Sequence, residues 1–365
     1  MTNFTARMMH RMKLSRTIWS NGIVTALLAA SLFGASTPLA KKLLTDISPI
    51  LLAGLLYAGS GLGLGAWLAL RRLRGQAAGE GGLQRRDWPW LAGAVLFGGV
   101  IAPVLLMLGL MHTPASTASL LLNLEGVLTV VIAWVVFREN VDRRIASGMF
   151  VIVAGGAILS WAQRPTGVPW GALGIGGACL CWAIDNNFTR VVSGGDPVRI
   201  AAIKGSVAGC INIAIALTLG ERLPSASHAI AAGLIGLAGY GISLVLFVLS
   251  LRNLGTARTG AYFSTAPFVG ASLSLLLLHE TPDIAFWSAG TLMAIGVWLH
   301  VSERHAHEHE HEALEHDHRH VHDEHHQHAH DFPWDGAEPH THQHAHAPLS
   351  HTHPHYPDLH HRHRH

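Results

Sequence analysis

Charge is what this sequence has least of. Asp, Glu, Lys and Arg make up 13% of its residues, against roughly 25% in a soluble globular domain. That value includes a polar C-terminal segment, so the body of the chain is poorer still, which argues against a water-soluble domain. Cysteine is almost absent. Cys179, Cys181 and Cys210 all lie inside apolar stretches, which excludes a disulfide framework and fits a reducing or membrane setting. The formal net charge of +2 gives no footprint for a nucleic acid. No pairing of a Ser or Cys nucleophile with a base is recognisable in the pattern, so an enzyme is not expected.

Long apolar runs are what the sequence has in abundance. The mean hydropathy is +0.31 and 49% of residues are hydrophobic. A helix needs about 20 predominantly apolar residues to cross the hydrocarbon core of a bilayer. Such runs fall near 18–40, 48–70, 90–111, 116–137, 144–162, 169–190, 198–219, 229–251, 257–278 and 284–301. The fold class expected is therefore an all-α integral membrane protein with ten transmembrane helices. The first run follows Arg7, Arg11, Lys13 and Arg16, as in a signal peptide. However, Pro38 and Leu39 stand where a cleavage site wants small residues, so an uncleaved first helix is expected.

Lys and Arg are distributed unevenly between alternate loops. The N-terminal arm and the segments 71–86, 138–144, 190–199 and 252–258 carry most of them; the other side has Lys41, Lys42, Arg164 and Arg222. The positive-inside rule then puts both termini in the cytoplasm of a bacterial-type inner membrane.

The sequence also repeats. A shift of 141 positions lays Glu139 on Glu280, Gly155 on Gly296, and HTPASTASLLL on NLGTARTGAYF; a slightly larger one lays Gly22 on Gly171 and FGAS on WAID. Two five-helix halves, 18–162 and 168–301, follow between an arm at 1–17 and a tail at 302–365. Five is odd, so the halves insert in opposite senses, an architecture suited to alternating access. Ten helices in two such units, with Glu closing the fourth helix of each (FRE at 137–139, LHE at 278–280), resemble the EamA-type branch of the drug/metabolite transporter superfamily. The resemblance covers 18–301 and implies a secondary carrier, most often an exporter of small metabolites or amino acids. It does not fix a substrate, and some members with His-rich C-termini are associated with nickel and cobalt resistance.

Ionisable groups inside spans mark function by default. Glu125, near the middle of LLLNLEGVLTVVIAW, is the first candidate for binding a cation or proton, with Asn123 and Thr129 nearby. Asp185, Asn186 and Asn187 lie on the sixth span, and Lys204 on the seventh; Asp185 and Lys204 are expected to pair or to gate. Cys179, Cys181 and Asp185 offer a weaker metal-ligand set, since Cys-x-Cys on one helix points its sulfurs apart. The glycines of GSGLGLG at 59–65, notably Gly61 and Gly65, suit close helix approach rather than phosphate binding. Pro38, Pro103 and Pro267 are expected to kink helices.

Histidine is the exception to the general scarcity of polar residues. Of 28 in the chain, all but His10, His112, His228, His279 and His300 lie from position 305 onward. The tail offers His305, His307, His309, His311, His316, His318, His320, His322, His325, His326, His328, His330, His340, His342, His344 and His346 as metal ligands. Imidazole suits Ni²⁺, Co²⁺, Zn²⁺ or Cu²⁺, and no cofactor is required beyond a metal held there. Few apolar residues and recurrent Pro predict disorder for 302–365.

The reading is a secondary exporter of a small solute, leaning to divalent transition metal in exchange for protons, with the tail gathering metal. The alternative is a metabolite or amino-acid exporter whose tail only buffers metal. Expected partners are the bilayer and the solute or metal ion, with no nucleic acid; a homodimer is left open.

Overall fold

The computed structural model describes residues 22–75, 83–137, 143–162, 168–192, 195–301, 306–311, 314–320, 340–346 and 349–354. The arm at 1–17 and Glu139 lie outside them. The chain divides into two compact units, Met1–Glu303 and Arg304–His365.

The first unit is helical. Its segments are α1 (Gly22–Leu43), α2 (Pro49–Leu73), α3 (Trp88–Ala94), α4 (Ala102–Met111), α5 (Ala115–Leu121), α6 (Asn123–Phe137), α7 (Arg143–Ala162), α8 (Trp170–Val192), α9 (Pro197–Thr218), α10 (Ala226–Gly236), α11 (Ser243–Phe263), α12 (Ala266–Leu278) and α13 (Ile284–Val301). Two π-helical turns, Val95–Ile101 and Leu237–Ile242, join α3 to α4 and α10 to α11 without a break. Among the described residues, seven helical stretches are long and apolar enough to cross a membrane: Gly22–Leu43, Pro49–Leu73, Arg85–Met111, Ala115–Val136, Arg143–Ala162, Pro197–Thr218 and Ala226–Ser250. The apolar helices Ala266–Leu278 and Ile284–Leu299 are shorter. Trp170–Val192 has 23 residues but is diluted by Asp185, Asn186 and Asn187.

Helix starts follow local chemistry. Pro49 opens α2 after Ser48, and Pro197 opens α9 after Asp196, whose carboxylate accepts the Val198 amide at 2.9 Å. Proline suits the first helical position because its missing N–H would have no partner there. Pro267 likewise sits at the start of α12 rather than mid-span. The loop expected at 252–258 is helical instead, because α11 runs on to Phe263. Arginines there read as a loop in the sequence, yet they do not oppose helix formation.

Two antiparallel pairs form the frame. On the seam between α2 and α9, Gly54 meets Ile213, Gly209 meets Ala58, and Gly61 meets Gly205 and Ser206. A Cβ at any of these glycines would strike backbone, so the helices touch main chain to main chain, as small residues permit in lipid. Gly65, expected to share this role, faces open space. Between α7 and α13, Gly155 packs on Ala289 and Met293, while Gly296 packs on Gly148 and Ile152. Around this frame, α1 packs on α11 and α12, and α8 packs on α4 and α6.

In the second unit β1 (Ala306–His311) pairs antiparallel with β4 (Leu349–Pro354), and β2 (Leu314–His320) with β3 (His340–His346). The four strands are short and pair two by two. The His-x-His alternation has the strand's own period of two.

Candidate functional site

The charged groups foreseen within the spans come together beside the first π turn. The Lys204 ammonium donates to both oxygens of Asp185, at 2.6 and 2.7 Å, and both residues are buried. Thr189, one turn along α8, donates to the same carboxylate at 2.9 Å. Gly98 has no side chain because the Asp185 carboxylate occupies the space that a Cβ would take. A buried pair of this kind gains little net stability, since desolvating two charges offsets most of their attraction. Its presence in an otherwise apolar bundle points to function.

Glu125 lies on α6, its carboxylate accepting the Asn186 amide at 2.8 Å. Asn186 also reaches the Thr129 hydroxyl at 3.4 Å, and Thr129 donates to the Glu125 carbonyl at 2.8 Å. Asn187 supports the same stretch, donating to the Ala183 and Thr129 carbonyls at 2.8 and 3.3 Å. Glu125, Thr129 and Asn186 form one hydrogen-bonded set, and the Asp185–Lys204 pair lies close enough for its charges to interact with Glu125. Asn123 does not join the set: its amide donates to the Leu120 carbonyl at 3.0 Å and approaches the Met293 sulfur at 3.8 Å. Asn123 opens α6, so its side chain folds back on the preceding turn.

Aromatic side chains, which carry no signal of their own in the sequence, gather at the same π turn. Tyr57 and Trp182 both donate to the Gly98 carbonyl, at 2.6 and 3.0 Å. Asn212 donates to the Gly99 and Val100 carbonyls at 3.2 and 3.4 Å. A π turn opens the regular ladder of backbone bonds, and these side chains take its carbonyls. Tyr240, from the second π turn, stacks on Tyr57 with ring centres 5.2 Å apart, and Phe33 lies 5.7 Å from Trp182 and 5.9 Å from Tyr240. The glycine pairs and aromatics of FGGV and AGYG were the only available signal.

The cysteine set is not a ligand set. Cys179 is buried with its thiol 3.7 Å from the Leu121 carbonyl, and no three His, Cys, Asp or Glu groups converge among the described residues. In the second unit the strand register sets His307 opposite His353, His309 opposite His351, His316 opposite His344, His318 opposite His342 and His320 opposite His340. His346 is in register with Leu314, and His311 with Leu349. His305, His322, His325, His326, His328 and His330 lie outside the described residues.

A profile described as the EamA-like transporter family matches the chain twice, over residues 20–161 and 169–302. An uncharacterized transporter of Methanothermobacter thermautotrophicus is 27% identical over 300 residues, covering 78% of this chain and 86% of its own. A probable terminal-alkyne amino-acid exporter of Streptantibioticus cattleyicolor is 26% identical, covering 79% of this chain and 94% of its own. A solved crystal structure shares the fold, with a TM-score of 0.56 at 19% identity over 76% of this chain and 94% of its own.

Proposed function

The chain belongs to the EamA-like transporter family, and from that premise we propose that it is a secondary exporter of a small organic solute. The observation that carries this reading is the buried Asp185–Lys204 pair with the half-buried Glu125 nearby, beside the aromatic side chains of Tyr57, Trp182 and Tyr240. Two carboxylates and one ammonium leave one carboxylate over. We assign that surplus to Glu125, which takes a proton or a positively charged part of the solute in turn, and so couples export to proton entry.

Inverted repeats support this cycle. Equivalent helices of the two matched units, α2 with α9 and α7 with α13, run antiparallel against each other. Repeats inserted in opposite senses allow the site to face either side by rocking one half against the other. With ten spans and the basic segments 71–86, 138–144 and 190–199 inside, both termini lie in the cytoplasm.

The geometry favours an organic solute over a divalent metal as cargo. Lys204 repels a divalent cation at the site, and no cluster of three metal-ligating groups forms among the described residues. Metal chemistry belongs to the tail, where the imidazoles bind Ni²⁺, Co²⁺, Zn²⁺ or Cu²⁺ as a cytoplasmic buffer. Protonated imidazole cannot coordinate, so this binding weakens as pH falls through about 6.5.

The test compares cells carrying the full chain, a deletion of 302–365, and Glu125→Gln. Small-molecule release and Ni²⁺, Co²⁺ and Zn²⁺ accumulation are both measured. The expected result is release lost in Glu125→Gln and retained in the deletion, with metal accumulation following the tail alone. Metal accumulation that rises in Glu125→Gln while release is unchanged would reverse the assignment.

A further inference from the structure

The break between α4 and α5, at His112–Pro114, is held by two side chains from elsewhere in the bundle. Pro114 prevents the helix from continuing, which frees carbonyls at the end of α4 and amides at the start of α5. The Glu280 carboxylate accepts the Ala115 amide at 2.7 Å through one oxygen and the Ser116 amide at 2.9 Å through the other. Lys41, at the end of α1, donates to the carbonyls of Leu110 and, at 3.2 Å, Thr113. The two charges are close enough to interact with each other. Each sign sits where the helix ends want it, the carboxylate at exposed amides and the ammonium at exposed carbonyls.

Glu280 is aimed by its neighbour. His279 ends α12 in the left-handed conformation, at φ 53°, which reverses the chain and turns Glu280 back over α5. Glu280 belongs to the second matched unit, and the joint it grips belongs to the first. The contact therefore ties the two units together at the end of the bundle reached by α1 and α12.

We propose that Glu280 and Lys41 form a latch that closes this end of the carrier and releases when the solute path opens there. Both are positioning residues. They hold the joint 112–115 against α12 and α1, and neither touches the charged group at Glu125. The inference rests on the carrier reading above, because only a protein that opens at alternate ends needs such a contact to break. The latch is suited to breaking. Its acceptors and donors are backbone groups, which water satisfies once this end opens and the side chains leave.

The experiment is thiol labelling of the full chain in membranes, with Cys179, Cys181 and Cys210 replaced by Ser and a single reporter introduced. Thr37→Cys, one turn before Lys41 and buried, reports on the latched end. Ser250→Cys, buried and bonded to Thr25 at 2.7 Å, reports on the far end of α1. Glu280→Gln and, separately, Lys41→Met should accelerate maleimide labelling of the Thr37 reporter by at least about tenfold, the factor that losing one charge-assisted hydrogen bond carries. The Ser250 reporter should not change. Glu280→Asp and Lys41→Arg should restore most of the protection.

Unchanged labelling at Thr37 in both variants overturns the latch. So does equal acceleration at both reporters, which means general loosening. Because the labelling needs no knowledge of the solute, a failure of Glu125→Gln to affect release would strike the export reading and leave this result interpretable.

Discussion

The two matched units share a frame and differ in their chemistry. At the frame, an offset of 141 carries Gly148, Ile152 and Gly155 onto Ala289, Met293 and Gly296, and each glycine packs against the same positions of the other unit. At the site, the equivalents of Glu125, Asp185 and Lys204 are Ala266, Ser36 and Leu55. At the joint, Pro114 breaks the first unit between α4 and α5, while its equivalent, Gly255, lies inside the unbroken α11. The packing contacts occur in both units, and the charged residues in only one position of each equivalent pair. The site is a single asymmetric group on a symmetric support.

That comparison can be broken in several ways. The largest effect expected is at the unduplicated pair. Lys204→Met should destabilise the helical unit by about 3–5 kcal/mol, because Asp185 is left buried and alone. Adding Asp185→Asn should recover most of that loss, without restoring release. Denaturation in mixed micelles measures the first part, and export assays the second; a double variant no more stable than the single would contradict the pairing.

Next come the duplicated glycines. Gly155→Val and Gly296→Val should each cost about 1–3 kcal/mol through overpacking, and by amounts equal within error. A large difference between the two would mean that the frame is less symmetric than its contacts. Smaller again, Glu280→Ala removes the cap of α5 and should cost about 1 kcal/mol, read from the same unfolding curves. Deleting 302–365 should leave the midpoint for the helical unit unchanged, since the two units are separately compact.

Much of this was visible in the sequence. Apolar runs locate the helices because the bilayer demands length and composition together. Glu125, Asp185 and Lys204 stood out because charge in such runs is rare. The aromatic cluster did not, since Phe33, Tyr57, Trp182 and Tyr240 are as apolar as their neighbours and only three dimensions bring them together. The π turns had no signal beyond paired glycines. The partners of Glu280 were invisible for another reason: they are backbone amides, identical at every position. Arg252 and Arg258 misled, because positive charge marks the side of a membrane and not the end of a helix.

The seam between α2 and α9 also constrains how the chain is made. Gly61 must meet Gly205 with nothing between them, yet roughly 140 residues separate the two in the sequence. At about 5–20 residues per second of synthesis, α2 waits on the order of ten seconds for its partner. Through that interval its small-residue face lies against lipid or against whatever chaperones membrane insertion. Assembly of the first unit is therefore provisional until the second arrives, and variants of the seam should show their harm first as rapid turnover of the newborn chain.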